Sequence, residues 1–155
     1  MSGMNNTDEA EVYATAVTLL ARREHSAREL ARKLRARGYA QSLIDATLAR
    51  LAKERLQSDR RYAEAYLHQR SEKGYGPLRI QAELQERGVA DALIAECVKS
   101  ALEEGEIDWY ERAASVYARK FGGRPIEDPK ERAKRQRFLY YRGFSHEQIA
   151  AVIDD

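Results

Sequence analysis

The side chains that could perform catalysis or hold a metal do not form a recognisable set in this sequence. The histidines, His25, His68 and His146, are far apart, and Cys97 is the only cysteine, so no zinc-ligand spacing exists. There is no nucleophile elbow and no dinucleotide-binding glycine fingerprint. The Gly-Tyr-Gly-Pro turn at residues 74–77 lacks the Gly-Lys-Ser/Thr of a phosphate loop. We therefore predict a protein that is not an enzyme and uses no cofactor and no metal.

The chemistry that remains is binding through charge. The net charge of +2 conceals a basic–acidic–basic order along the chain. Residues 22–37 carry seven basic against two acidic side chains, residues 81–111 carry nine acidic against two basic, and residues 119–142 carry nine basic against three acidic. Such a layout can contact a phosphate backbone and also a charged protein surface, although solvated helix faces are the simpler explanation of any single run.

Two sets of basic side chains each fall on one side of a predicted helix. Arg28, Arg32 and Arg35 lie within about 60° of one another on a helical wheel, opposite two leucines. A second face combines charge with an aromatic ring, as nucleic-acid-binding surfaces often do, and is formed by Lys130, Lys134, Arg137 and Tyr141. Both sets are predicted to contact a partner or nucleic acid.

A third candidate group flanks the turn in the middle of the chain. Arg70, Lys73 and Arg79 surround Tyr75, and basic residues beside an exposed aromatic turn could grip a groove. The alternative is that Arg70 interacts with the C-terminus of its own helix while Tyr75 belongs to the core.

These residues are positioned by an internal repeat of about fifty residues, present three times. Residues 26–48 and 76–98 align with an offset of 50, and a third copy with a further offset of 55 begins near Asp128. In each copy a capping residue or a proline starts a helix, apolar residues recur at i and i+4, and Gly38, Gly88 or Gly143 ends it. An amphipathic segment precedes each pair of helices, and no alternating pattern predicts strands.

The repeat predicts an all-α fold of three tandem three-helix repeats forming an elongated helical array. The predicted divisions are a flexible N-terminus at 1–10 and repeats at 11–55, 56–104 and 105–155, the first helix starting at Val12. Arg135 occupies the position of Leu30 and Ile80 in the other copies, and Arg132 that of Ala27. Because a buried unpaired arginine is costly, we predict that both reach a partner, with a polar terminal cap as the alternative.

Composition limits where the protein acts. A mean hydropathy of -0.70 with 34% charged residues predicts a soluble chain, and a single cysteine fits a reducing compartment. Cys97 lies between apolar residues and is expected to be a packing residue. The N-terminus lacks the pattern of a secretion signal, and no stretch is long enough to span a membrane. We expect a cytoplasmic monomer.

The combined pattern resembles the RecX family of regulatory proteins over roughly residues 12–153. The most specific stretch is LQSDRRYAEAYLHQRSEKGYGPLRIQAELQERGV, beside LLARREHSARELARKLRARGY and RFLYYRGFSHEQIAAVI. The chain departs from the family at two positions: Tyr62 stands where the family often has phenylalanine, and Ser58 stands where it often has an acidic residue. The resemblance implies that the protein binds the RecA recombinase filament on single-stranded DNA, lies in its groove and lowers its ATPase, strand-exchange and coprotease activities. Weak binding to duplex DNA is a further expectation.

Two other functions are kept as alternatives. A stand-alone helical DNA-binding module would insert recognition helices into duplex grooves, but the second repeat mixes Arg79 with Glu83 and Glu86 where a basic face is needed. A purely structural helical scaffold would have no effect on a recombinase.

Overall fold

The computed structural model describes the backbone of residues 2–154 and the side chains of residues 8–154. Within that range the chain forms nine helices and no strand, which confirms the all-α prediction. The helices are α1 (Ser2–Arg22), α2 (Ala27–Ala36), α3 (Gln41–Lys53), α4 (Asp59–Glu72), α5 (Pro77–Glu86), α6 (Asp91–Glu103), α7 (Trp109–Phe121), α8 (Pro129–Arg142) and α9 (His146–Ile153).

The helices form three groups of three, as the repeat predicts. Each helix packs mainly against the two others of its own group, α1–α3, α4–α6 or α7–α9. The predicted start of the first helix was wrong, because α1 begins at Ser2 rather than at Val12. The flexibility expected of residues 1–10 stays a prediction, and Met1 and the side chains of residues 1–7 lie outside the described part.

Local signals in the sequence set the helix boundaries. Ser26 and Glu29 form a reciprocal capping box at the start of α2, and Ser145 and Gln148 do the same for α9. At α8 the Asp128 side chain accepts from the backbone N–H of Glu131, and a proline occupies the first helical position. These caps pair backbone donors that a helix start would otherwise leave unsatisfied.

The apolar faces are buried in two cores. The first repeat has its own core, in which Leu30, Leu34 and Ile44 are fully buried. The second and third repeats share one continuous core that runs from Tyr62 to Ile153. Each fully buried leucine or isoleucine contributes about 1.5–3 kcal/mol relative to an exposed one. Consequently the second and third repeats stabilise each other directly.

The middle helices of the repeats meet head to tail. At the C-terminus of α8, the carbonyls of Arg142 and Gly143 accept from the backbone N–H groups of Gly76 (2.7 Å) and Leu78 (3.0 Å), where α5 begins. At the C-terminus of α5, the carbonyl of Arg87 accepts from the Ser26 hydroxyl (2.8 Å), which caps α2. The order α8, α5, α2 therefore forms a single row of helices, and the first and last members carry the predicted basic faces.

No helix within residues 2–154 is long and apolar enough to cross a membrane.

Candidate nucleic-acid and partner interface

The basic face of α2 is presented to solvent as predicted. Arg28, Arg32 and Arg35 are exposed, while the opposite side of the helix, at Leu30 and Leu34, is fully buried. Arg35 donates weakly to the Gln41 side chain at 3.4 Å. None of the three arginines is paired with a carboxylate of residues 8–154. Their charge is thus available to an external anion.

The basic face of α8 is also exposed. Lys130, Lys134 and Arg137 point outward, and none has an ion-pair partner in the described part of the chain. Tyr141 on the same face is 69% exposed, and its neighbour Tyr140 is 57% exposed, with their rings edge to face at 5.8 Å. Cations beside exposed aromatic rings can contact phosphates and bases at once.

Arg135 does not belong to this face, and the prediction that it reaches a partner is wrong. Its side chain is only 3% exposed. The guanidinium donates to Glu131 (2.9 Å), to the Tyr117 hydroxyl (2.7 Å) and to the Arg124 carbonyl (2.9 Å). The cost of burying the charge is offset because an internal ion pair and the loop before α8 supply acceptors.

Arg132 is likewise engaged within the protein, in an ion pair with Asp154 near the end of the chain. It is half-buried, so the prediction that it reaches a partner is not supported by its placement. The charge that α8 offers outward is therefore carried by Lys130, Lys134 and Arg137.

Two of the three candidates of the middle repeat, Arg70 and Arg79, are bound within the protein. Arg70 forms a two-pronged ion pair with Glu83 (3.1 and 3.0 Å) and stacks on the half-buried ring of Tyr75 at 3.9 Å. Glu83 is thus not on the outward face where the sequence placed it. Burial opposes its ionisation, but hydrogen bonds from Arg70 and Tyr66 hold the pKa of Glu83 below its ordinary value. Burial and the same hydrogen bond raise the pKa of Tyr66 to about 12.

Arg79 and Lys73 lie at the junction between the second and third repeats. Arg79 donates to the carbonyl of Tyr141 (3.1 Å) and its guanidinium lies 4.5 Å from the Tyr75 ring centroid. The Lys73 side chain is exposed, and its carbonyl accepts from Arg142 at 3.5 Å. Of the eleven predicted contacts, therefore, the structure leaves the two outer faces open, together with Lys73, and ties Arg70, Arg79, Arg132 and Arg135 into the fold.

The middle helix carries no basic face that matches the face of α2. The positions of α5 that correspond to Arg28, Arg32 and Arg35 are Leu78, Ala82 and Gln85, all exposed and uncharged. The row of helices thus has two positive ends and a neutral centre.

Two features of the structure were not predicted from sequence. His25 is almost fully buried, with Nδ1 2.9 Å from the Arg23 carbonyl and Nε2 2.9 Å from the Lys33 ammonium. The ring of Tyr140 borders an apolar pocket between α8 and α9. Periodicity shows which face a residue takes, but neither contact is encoded by spacing alone.

Cys97 is buried in the shared core, as predicted, and burial raises the pKa of its thiol. Both properties suit a packing residue rather than a nucleophile.

Comparison with known proteins shows which family contains this three-helix repeat. Residues 13–51 match the RecX first three-helix domain, residues 58–98 the second, and residues 106–153 the third. The chain belongs to the RecX family. Its relatives include the regulatory protein RecX of Pseudomonas putida strain GB-1, 48% identical over 99% of this chain and 95% of that protein. The regulatory protein RecX of Pseudomonas entomophila is 47% identical over 99% of this chain and 96% of that protein.

Solved RecX structures have the same fold. The crystal structure of RecX from Lactobacillus salivarius superposes with a TM-score of 0.80 at 20% identity, covering 96% of each chain. A crystal structure of a regulatory protein RecX gives a TM-score of 0.82 at 20% identity, covering 98% of this chain and 75% of that one. At that level of identity the match supports the three-repeat architecture of this RecX-family chain and carries no residue roles.

Proposed function

We propose that this protein binds the RecA filament on single-stranded DNA and inhibits the recombinase, ATPase and coprotease activities of that filament. Membership of the RecX family, whose members are named regulatory proteins, supports this role. The observation that carries the DNA part of the proposal is the basic face of α8, formed by Lys130, Lys134 and Arg137 beside the exposed ring of Tyr141, whose cations have no ion-pair partner among the side chains of residues 8–154.

Two separated basic faces suit a filament better than a compact target. The α2 and α8 faces stand at opposite ends of one row of helices, with the neutral face of α5 between them. Contacts at both ends of the row add up when the two target sites have a fixed spacing, as they have along a filament. Loss of either face should therefore weaken binding far more than its own contacts suggest.

Inhibition by this route needs no covalent step. A protein that binds several recombinase subunits and the DNA between them lowers activity if it binds the inactive arrangement more tightly than the active one. It also lowers activity if it occupies the surface to which the next subunit would add. The chain acts as a monomer in this proposal.

The decisive measurement is the single-stranded-DNA-dependent ATPase rate of RecA with increasing amounts of the protein. The test variant carries Lys130→Gln, Lys134→Gln and Arg137→Gln, which remove three charges and keep the side-chain stems. Its matched control carries Lys53→Gln, Lys99→Gln and Arg119→Gln, exposed basic residues outside α2 and α8. We expect the test variant to need at least about tenfold more protein for the same inhibition, the equivalent of roughly 1.4 kcal/mol, and the control to inhibit like the wild type. No inhibition by the wild type would refute the proposal.

The alternative of a stand-alone duplex-DNA-binding module is separated by the same proteins. Tight binding to naked duplex DNA, together with an unaltered recombinase ATPase, would favour that module. The neutral face of α5 argues against it, since a duplex reader built from three repeats needs a positive surface on each.

A further inference from the structure

The pocket between α8 and α9 adjoins the basic face of α8 and is apolar. It has a volume of about 390 Å³ and is lined by Gln136, Arg137, Tyr140, His146, Ile149 and Ala150. That volume lies within the range of about 300–1,000 Å³ that small-molecule sites occupy. None of the lining side chains is acidic.

Two aromatic rings and two polar side chains contribute to its lining. The rings of Tyr140 and His146 have centroids 6.4 Å apart and planes inclined by 32°, so that they form an angled wall rather than a closed stack. Ile149, only 5% exposed, also lines the pocket. The Gln136 amide and the Arg137 guanidinium, which belong to the lining, supply donors and an acceptor.

We infer that this pocket binds a nucleobase of single-stranded DNA whose phosphates lie on the basic face of α8. A base needs a flat apolar surface for its ring and hydrogen-bonding groups at its edge, and the pocket offers both. Arg137 belongs to the pocket rim and to the basic face, so a base in the pocket and a phosphate on Lys134 are neighbours along one strand. This inference rests on the proposed contact with single-stranded DNA and adds a base-binding site to it.

The charge around the pocket favours a nucleic acid over an apolar protein side chain. The charged exposed side chains of α8 are Lys130, Lys134 and Arg137, all positive, and the exposed carboxylate beside the pocket residue His146 is that of Glu147 on α9. The nearby carboxylate of Glu131 is already bound to Arg135. The positive side chains of α8 attract an anionic strand, whereas an uncharged leucine or phenylalanine of a protein partner would gain no binding energy from them.

The test compares two labelled strands of about 20 nucleotides by fluorescence anisotropy, oligothymidine and an abasic strand with the same phosphates. We expect the wild type to bind oligothymidine about fivefold or more tighter than the abasic strand, which is the size of one base–aromatic stack. Tyr140→Ala should remove this preference and leave the abasic affinity unchanged, while Tyr140→Phe should keep it. Tyr110→Ala, which removes a 48% exposed tyrosine on α7, is the matched control and should keep it too.

Ala150→Gln provides a second test that leaves Tyr140 in place, because the longer side chain fills the pocket. It should also abolish the preference for oligothymidine. Equal wild-type affinity for both strands would overturn the base site. In that case the loss of both affinities in the α8 charge variant would still uphold the DNA contact of the proposed function. A Tyr140→Ala defect seen only with the recombinase filament, and not with naked strands, would overturn the base site in favour of a protein side chain.

Discussion

Gly143, which ends α8, lies directly against the backbone of Arg79 at the start of α5. A Cβ added to Gly143 would stand 2.7 Å from the Arg79 nitrogen and closer still to its Cβ. Gly88 holds the same relation to Arg28 one repeat earlier, where an added Cβ would lie 2.6 Å from the Arg28 Cβ. The glycine that ends one middle helix is therefore also the point where the next helix in the row rests.

Gly143→Ala should destabilise the protein much more than Gly38→Ala. Both glycines have left-handed backbone angles, φ 103° and 87°, so both variants incur about 1–2 kcal/mol of strain. At Gly143 the added Cβ also meets Arg79, and such overpacking costs about 1–3 kcal/mol more. In the described part of the chain nothing lies within 4 Å of a Cβ at Gly38, so Gly38→Ala lacks this cost. Urea denaturation followed by circular dichroism gives both free energies of unfolding. Equal losses in the two variants would show that the junction is not tightly packed.

Substitutions of Arg135 and Arg137 should affect different properties, stability and DNA binding respectively, although the two residues are only two positions apart. Arg135→Ala leaves the Tyr117 hydroxyl and the Arg124 carbonyl without their donor and should lower the melting temperature clearly. Arg137→Ala changes an exposed position and should alter stability by no more than about 0.5 kcal/mol, while weakening binding to single-stranded DNA. Thermal melts and anisotropy titrations on the two variants test this. A stable Arg135→Ala protein that loses DNA binding would restore the surface role first predicted for it.

Arg135 shows which part of a residue's environment the sequence predicts and which part it does not. The repeat placed Arg135 in the slot of Leu30 and Ile80, which correctly marks an inward position. It could not show that the loop before α8 brings the Arg124 carbonyl over that position, since this contact depends on tertiary packing. The sequence position alone therefore does not predict that Arg135 is buried with acceptors supplied by the protein itself.

The basic faces and the helix boundaries other than the start of α1 were predictable because they depend on the local sequence. Capping residues and helical periodicity are properties of a few neighbouring positions, and they located Ser26, Ser145 and the faces of α2 and α8. The pocket at Tyr140 was not predictable, because it exists only where α9 packs beside α8.

Stability should fall as the pH is lowered through about 6.5, because His25 is buried. Burial lowers the pKa of His25, and the neighbouring cations Arg23 and Lys33 act in the same direction, opposed by the Arg23 carbonyl and Glu29. The folded-state pKa is thus below the unfolded value of about 6.5. As the pH falls, the unfolded chain takes up this proton first, so stability is lost from about pH 6.5 down to the folded-state pKa.

The free energy of unfolding measured between about pH 7.5 and 5.5 tests this linkage. His25→Gln should flatten part of the decline in that window. A His25→Gln variant with an unchanged pH dependence would mean that His25 can be protonated without leaving its site.

The salt dependence of single-stranded DNA binding should report the two basic faces separately. Each phosphate neutralised on a single strand contributes about 0.7 to the slope of log K against log salt concentration. Replacing Lys130, Lys134 and Arg137 with Gln should therefore reduce the magnitude of the slope by about 2. If both ends of the helix row contact the strand, replacing Arg28, Arg32 and Arg35 with Gln should reduce the slope by a similar amount. Gln is chosen because it keeps the part of the Arg28 side chain that packs on Gly88.

The control with Lys53, Lys99 and Arg119 changed to Gln removes the same charge from other surfaces, so it separates local contacts from net charge. Its slope should stay within about 0.7 of the wild type. If the control loses as much slope as the α8 variant, binding follows overall charge and neither face is a site. If only the α8 variant loses slope, the strand is held at one end of the row, and the α2 arginines are left to face the protein subunits of the filament.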